Sequence, residues 1–359
     1  MKIAYVVEDF SENGGVERIV SQKANILATE YGHEVCIINV YRDNRPIRYH
    51  IDSSVRMENL DVPFADKRHG RILTLLSRVK TLLTAKSRLN STLKTVAPDI
   101  IFFTTTMGAL LLPLSRTKAR KVYESHLARQ FNPYNALFSF MERRADTVVC
   151  LTEGDAGEYR HAKRKVVIPN FIPSPQTTVR DYGVKKAIAV GRLEKQKGFD
   201  ILIDAWQELS GSHPDWHLDI YGEGSQHDEL QQQIDRLSLH HSITLCGRSD
   251  RIMDVYPQYS LHLMPSRYEG QPITLIEAQS CGLPSVVTDF KYGAADIVKD
   301  GENGLIVSQN DTAAFASAAT TLMDSVDMRR EYGGRALKTG QKYSRENIMN
   351  MWIKLIGER

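Results

Sequence analysis

The pattern that most restricts the fold occurs twice. Near the start, the apolar run "KIAYVV" leads into "DFSENGGVERIVSQKANILA", a glycine-bearing loop and a helix, and then into the strand-like "HEVCIINV". From residue 186 the same order returns in "KAIAVGRLEKQKGFDILIDAWQEL", with "HLDIYGEG" as the next strand. Strand, glycine turn, helix and strand open a doubly wound parallel sheet. Apolar runs without alternation suit strands covered on both faces. A chain of 359 residues has room for two such units. Further strands are expected at "DIIFFTT", "KVYES", "TVVCL" and "KVVIPN", and then at "ITLCG", "LHLMPS", "PSVVTD" and "GLIV". The fold class is α/β, with two units head to tail.

The Pro/Ser/Thr-rich "PNFIPSPQTTVRDYG" (169–183) reads as the linker. The expected domains are 1–172 and 173–338, followed by a terminal helix over 339–359. In "SRENIMNMWIKLI" the helical spacing puts Ile348, Met351, Trp352, Leu355 and Ile356 on one face. That face needs an apolar partner, and a return onto the first domain is expected.

Hydrophobic residues make up 42% and charged ones 25%, which suits a soluble globular protein. The net charge of +3 is unevenly placed: between Lys67 and Lys121 there are twelve Lys/Arg against the single acid Asp99. Such an excess points to an anionic partner, a membrane surface or nucleic acid. No aromatic-interleaved stacking motif supports nucleic acid. Within 71–96, Ile72, Leu75, Leu76, Val79, Leu82, Leu83, Leu89 and Leu93 form a broad apolar face among six basic residues. Two readings stand: a core helix with solvated charges, or an amphipathic segment facing a membrane.

The longest apolar run, "GALLLPL", is too short to span a bilayer, and the apolar stretch in "MKIAYVVEDF" is too short for a signal peptide. Cys36, Cys150, Cys246 and Cys281 are scattered, with no C-x-x-C pair or His cluster, so buried thiols in a reducing compartment are expected. The protein is expected to be cytoplasmic, with any membrane contact peripheral.

Two loops hold residues suited to chemistry. After "KAIAV", Gly191 opens a loop containing Arg192 and Lys197 ahead of a helix. Cations beside a helix N-terminus at a strand's carboxyl end form a site for phosphate oxygens. In "PSRYEGQPITLIEAQSCGLP", Glu269 follows a strand and Pro272 suits the first helical position. Glu277 lies on that helix, and Gly282 and Pro284 end it. Carboxylates accept hydrogen bonds from vicinal hydroxyls, and the N–H groups of residues 270–274 could meet a phosphate or sugar oxygen. The plainer reading is a capping Glu269, a salt-bridged Glu277 and solvated loop cations.

Taken in order, "GGVER", "GRLEKQKGFDILIDA", "YGEG", "CGR", "PSRYEGQPITLIEAQSCGLP" and "DGENGLIV" resemble the retaining glycosyltransferases of family 4, which have the GT-B fold. The resemblance covers nearly the whole chain and implies two Rossmann-like domains facing a cleft, with a nucleotide-sugar in the second and an acceptor in the first. Arg192 and Lys197 resemble the pair that binds the donor diphosphate. Glu277 resembles the residue on the ribose hydroxyls, and Glu269 the one on the donor sugar. Gly270, Gln271, Pro272 and Ile273 would form a backbone collar, and Gly14 with Gly15 would let the first-domain loop approach the diphosphate. His126 in "YESH" is similar to a histidine near the sugar, and Arg248 falls where the backbone meets the base. Asp296 stands where the family often has Glu.

A departing nucleoside diphosphate builds negative charge that cations or a metal must neutralise. No Asp-x-Asp occurs in the sequence. Arg192, Lys197 and helix N-termini are therefore expected to act without a metal, and no cofactor is expected. Same-face attack is the expected route to retention. A UDP-hexose is the foremost donor, ahead of UDP-N-acetylhexosamine and GDP-mannose. The expected acceptor is a lipid or lipid-linked glycan at the inner face of the cytoplasmic membrane, in cell-envelope synthesis. The alternatives are a soluble acceptor and a catalytically silent subunit that binds a sugar-nucleotide.

Overall fold

A computed structural model describes residues 1–11, 14–41, 46–64, 71–126, 128–131 and 135–358, the side chains of 71, 72, 131, 135 and 136 apart. The chain divides into two compact units. The first holds residues 1–151 and 155–168; the second holds 152–154 and everything from 169 onward.

Seven parallel strands form the first sheet: β1 (Lys2–Val7), β2 (Glu34–Tyr41), β3 (Arg56–Val62), β4 (Ile100–Thr104), β5 (Arg120–Ser125), β6 (Thr147–Cys150) and β7 (Lys165–Val167). Their order is β3-β2-β1-β4-β5-β6-β7. β1, β4 and β6 are apolar and buried almost throughout, as the sequence predicts. β3 was not expected. Its "RMENLDV" is of mixed composition and only partly buried because it is the sheet's edge.

The second sheet holds β8 (Lys186–Val190), β9 (His217–Tyr221), β10 (Ile243–Gly247), β11 (Leu261–Met264), β12 (Ser285–Thr288) and β13 (Gly304–Val307). All are parallel, in the order β10-β9-β8-β11-β12-β13. The order reverses between β1 and β4 in one unit and between β8 and β11 in the other. At such a point the connecting helices leave to opposite faces, and a crevice opens beyond the strands' carboxyl ends.

The basic helix Arg71–Val96 divides along its length. Its later half buries Ala85, Leu89, Leu93 and Val96 in the core of the first unit, whereas Leu73, Leu75, Leu76, Val79 and Leu83 are each 48–61% exposed. The core-helix reading describes the later half, and the apolar side chains of the earlier half are exposed. The terminal helix Arg345–Gly357, capped by Ser344, buries Ile348, Met349, Trp352, Leu355 and Ile356. Met351 is exposed and Met349 takes its place, because residues 348, 349, 352, 355 and 356 complete one stripe.

The residues at which the chain passes between units are fastened to the second. A Cβ on Gly154 would lie 2.7 Å from the Tyr292 ring, Glu153 N–H donates to the Asp296 carboxylate, and Asn170 N–H donates to Gln271 Oε1 at 2.8 Å. The cysteines are free thiols, three of them buried. Burial pushes Cys36 and Cys246 up to about 11 and Cys281 up to about 12.

Candidate functional site

The second unit's switch point is built by two loops. The loop after β8 runs from Gly191 to Gly198 and enters the helix Phe199–Ser212. Gly198 has φ +69°, and a Cβ there would fall 2.2 Å from the Pro265 carbonyl oxygen. Only glycine meets both demands. Gly222 is equally confined, since its Cβ would be 1.8 Å from Gly191 O. These close approaches fix the loop that holds the two cations.

The loop after β11 brings the carboxylate. Lys197 Nζ lies 2.7 Å from Glu269 Oε1, and Ser266 Oγ donates to the same oxygen at 2.8 Å. Both partners are largely buried, at 13% and 6% exposure. Gln196 crosses the same gap, donating to the Tyr268 carbonyl at 2.8 Å. Arg267 clamps the two loops from outside through a bidentate pair with Asp200, at 2.8 and 2.6 Å. Burial acts to raise the Asp200 carboxyl, but the Arg267 hydrogen bonds and charge outweigh it and hold the group below its ordinary range.

Arg192 projects into solvent, and its side chain makes no hydrogen bond or ion pair among the described residues. One cation is thus seated against a carboxylate and the other is exposed on the same loop. Gly191 is half-buried against Lys197, whose Cδ a Cβ would approach to 3.1 Å.

Gly270 and Gln271 lead to Pro272, which flanks the helix Ile273–Ser280. Pro272 is thus one position earlier than expected, its carbonyl accepting from Leu275 and Ile276. The first N–H groups of a helix have no partner inside it, so those of Ile273 and Thr274 are available to an acceptor. The Gln271 side chain turns to the chain at the unit boundary, its amide oxygen accepting from Asn170 N–H at 2.8 Å. Glu277, 4% exposed, has its carboxylate beside the Tyr256 hydroxyl, which donates to the Thr274 carbonyl at 3.1 Å. Arg248 lies beyond β10, its side chain paired with Asp250 at 2.9 Å and open to solvent.

Gly14, Gly15 and His126 belong to the first unit. Gly14 flanks the first helix, Gly15–Thr29, and a Cβ on Gly15 would meet nothing within 4 Å. His126 follows β5, with Nε2 3.1 Å from Glu124 Oε2. Ser266, Gln196 and Tyr256 were not singled out from sequence. Each is an ordinary polar residue whose part depends on a neighbour about 3 to 72 positions away, and no local pattern marks it.

Two doubly wound domains, the second with cations and carboxylates at its switch point, define the GT-B class of glycosyltransferases. Residues 174–339 match the model of glycosyl transferases group 1, and residues 13–174 match that of glycosyltransferase family 4. The chain belongs to the family-4 glycosyltransferases.

It is 28% identical over its whole length to an exopolysaccharide phosphotransferase of Streptomyces coelicolor, of which it spans only 41%. It is 26% identical to the amylovoran biosynthesis glycosyltransferase AmsD of Erwinia amylovora, covering 99% of each chain. An undecaprenol-linked glycan α-1,4-N-acetyl-D-galactosaminyltransferase of Campylobacter jejuni is 24% identical, over 100% of this chain and 99% of its own. Among solved structures, the lipopolysaccharide outer core galactosyltransferase WaaB superposes with a TM-score of 0.79 at 19% identity, over 99% of each chain. These relatives are bacterial enzymes of cell-envelope polysaccharide and glycolipid synthesis.

Proposed function

We propose that the chain transfers a hexose, with retention, from a nucleoside-diphosphate sugar to a lipid or lipid-linked glycan at the cytoplasmic membrane face. The observation that carries this reading is the Lys197–Glu269 pair beside the exposed Arg192. One loop offers positive charge to a diphosphate, and the next offers a carboxylate to sugar hydroxyls. Lys197 has three donors and can reach a phosphate oxygen while keeping Glu269. The free N–H groups of Ile273 and Thr274 add partial positive charge.

In the reaction, the bond between the anomeric carbon and the diphosphate oxygen breaks, and its electron pair leaves with the phosphate. Arg192, Lys197 and the helix N-terminus stabilise that charge as it develops. The acceptor hydroxyl attacks from the face the phosphate is leaving, and its proton passes to the departing phosphate oxygen. Glu277 takes the ribose hydroxyls and Glu269 those of the hexose. No divalent ion is required in this scheme, and turnover is expected to survive a chelator. A UDP-hexose is the favoured donor.

The acceptor reading is supported by the first unit's surface. The exposed leucines of the basic helix have no acidic residue among them. Leu137 and Phe140 are also exposed, on the helix Asn135–Arg144 that packs on the same core. Apolar side chains among Arg and Lys suit an anionic lipid surface. No helix among the described residues is long and apolar enough to cross a membrane. The Campylobacter relative, which acts on a polyprenol-linked glycan, is consistent with such an acceptor.

The test is a panel of nucleotide-sugars, scored by slow hydrolysis and by transfer to membrane extracts. UDP-glucose or UDP-galactose should be consumed, with UDP binding seen by calorimetry. Absence of heat with every nucleoside diphosphate, or full turnover in an Arg192→Ala/Lys197→Ala variant, overturns the reading.

A further inference from the structure

The first unit contains a buried charged group that the proposed reaction does not use. Glu124, the fifth residue of β5, is 2% exposed, and Lys23, in the middle of the first helix, is 1% exposed. Lys23 Nζ lies 2.5 Å from Glu124 Oε2 and 5.3 Å from the centroid of the Tyr5 ring. His126, one residue beyond the end of β5, reaches the same Oε2 with Nε2 at 3.1 Å. Glu124 Oε1 is buried with no hydrogen-bond partner among the described residues.

A buried ion pair of this kind is a poor source of stability. Removing two charges from water offsets most of their attraction, and apolar residues of like volume often do as well. What the pair provides is a carboxylate at a fixed place. Burial acts to raise Glu124, but the charge of Lys23 and the contacts of His126 and Lys23 prevail and hold it below the ordinary range. An ionised carboxylate only accepts hydrogen bonds, so the histidine nitrogen facing it must carry the proton.

We propose that Glu124 is a positioning residue for His126, whose side chain is 7% exposed: it fixes the ring with Nε2–H on the carboxylate, so that Nδ1 is the nitrogen left for a ligand hydroxyl. In the neutral ring Nδ1 is then an acceptor, suited to a sugar hydroxyl and unsuited to a phosphate oxygen. Lys23 acts one step further back by keeping Glu124 ionised. Orientation of a ring through its remote nitrogen is the arrangement that fixes histidines at metal sites and in catalytic triads. Here it would serve a sugar ligand. Which hydroxyl is bound rests on the glycosyl-transfer reading; the state of the ring does not.

The test is nitrogen-15 NMR of histidine-labelled full-length protein near about pH 9, with His126 assigned from the spectrum of His126→Gln. The wild type should show a single tautomer protonated at Nε2. The double variant Lys23→Met/Glu124→Met removes the acceptor without stranding a charge. It should fold, show both tautomers in exchange, and slow any measured transfer roughly tenfold, the effect of one lost hydrogen bond. A wild-type ring protonated at Nδ1 overturns the proposal without any variant, as does a double variant that keeps the Nε2 tautomer. Failure of every sugar donor would sink the glycosyl-transfer reading and leave the spectra to decide this one.

Discussion

Lys197 Nζ and Glu269 Oε1 stand 2.7 Å apart, on loops that leave the two strands between which the second sheet reverses its order. The pair serves both to join the loops and to present charge, and the two roles can be separated. Lys197→Ala should lower turnover on the order of a hundredfold, the usual loss when one preorganised donor is removed from a developing anion. It should also lower the melting temperature, because Glu269 is left buried without its cation. The double variant Lys197→Ala/Glu269→Gln should recover most of the melting temperature and none of the activity. Recovery of both in calorimetry and steady-state kinetics would show that Lys197 has no part in chemistry.

Gly198 tests the loop by sterics alone. Gly198→Ala demands a left-handed conformation and places a methyl group against the Pro265 carbonyl. Its cost should exceed about 1 kcal/mol. Because Gly198 ends the segment with Arg192 and Lys197, weaker UDP binding should accompany the lower stability. Denaturant unfolding and calorimetry check the two effects. Gly211→Ala, with open space around its Cβ, is the matched control.

His262 predicts a pH dependence. It is wholly buried in β11, with Nδ1 3.2 Å from Ser285 Oγ. Burial, and secondarily the charge of Lys197, pulls its pKa down to about 3. In the unfolded chain the ring takes up a proton near about pH 6.5, whereas the folded chain resists until far lower pH. The unfolded state therefore binds more protons across that window, and stability falls as pH drops through it, by about 1.4 kcal/mol per unit. His262→Leu should flatten the slope of unfolding free energy between about pH 6 and pH 4. An unchanged slope would mean that the ring is protonated in the folded protein.

Exposed leucines on the basic helix give a prediction at the membrane. Leu75→Ser/Leu76→Ser/Leu83→Ser should abolish sedimentation with anionic vesicles, by tenfold or more if each leucine contributes about 1 kcal/mol. The melting temperature should stay nearly constant, because these side chains lie outside the core. Binding by the wild type should also weaken as salt rises. Equal partition of wild type and variant would remove the helix from the membrane reading.

The strands that could be read in advance are the apolar ones, among them "ITLCG" and "GLIV", which are only partly buried. "IIFFT" and "TVVC" show their place in the sheet because both faces are covered. "RMENLDV" did not, because an edge strand with one open face has a mixed composition. The helix Arg71–Val96 was ambiguous for a different reason: its burial changes along the axis, and a helical wheel averages over that axis. Among site residues, charged groups beside glycines were visible, since the loop's backbone dictates both. The engagement of Gln271 by Asn170, 101 positions away, was not. The Lys23–Glu124 pair was hidden in the same way, each partner looking like a surface residue on its own element.

The attachment of residues 152–154 to Tyr292, Gly293 and Asp296 has a practical consequence for recombining halves of such proteins. The second unit is not one continuous stretch of sequence. A fragment that begins at Pro169 leaves behind the tripeptide that fills the space beside Tyr292 and satisfies Asp296. Hybrids that exchange the second unit should therefore carry Thr152, Glu153 and Gly154 across with it, and those cut only at the linker should express as weakened proteins.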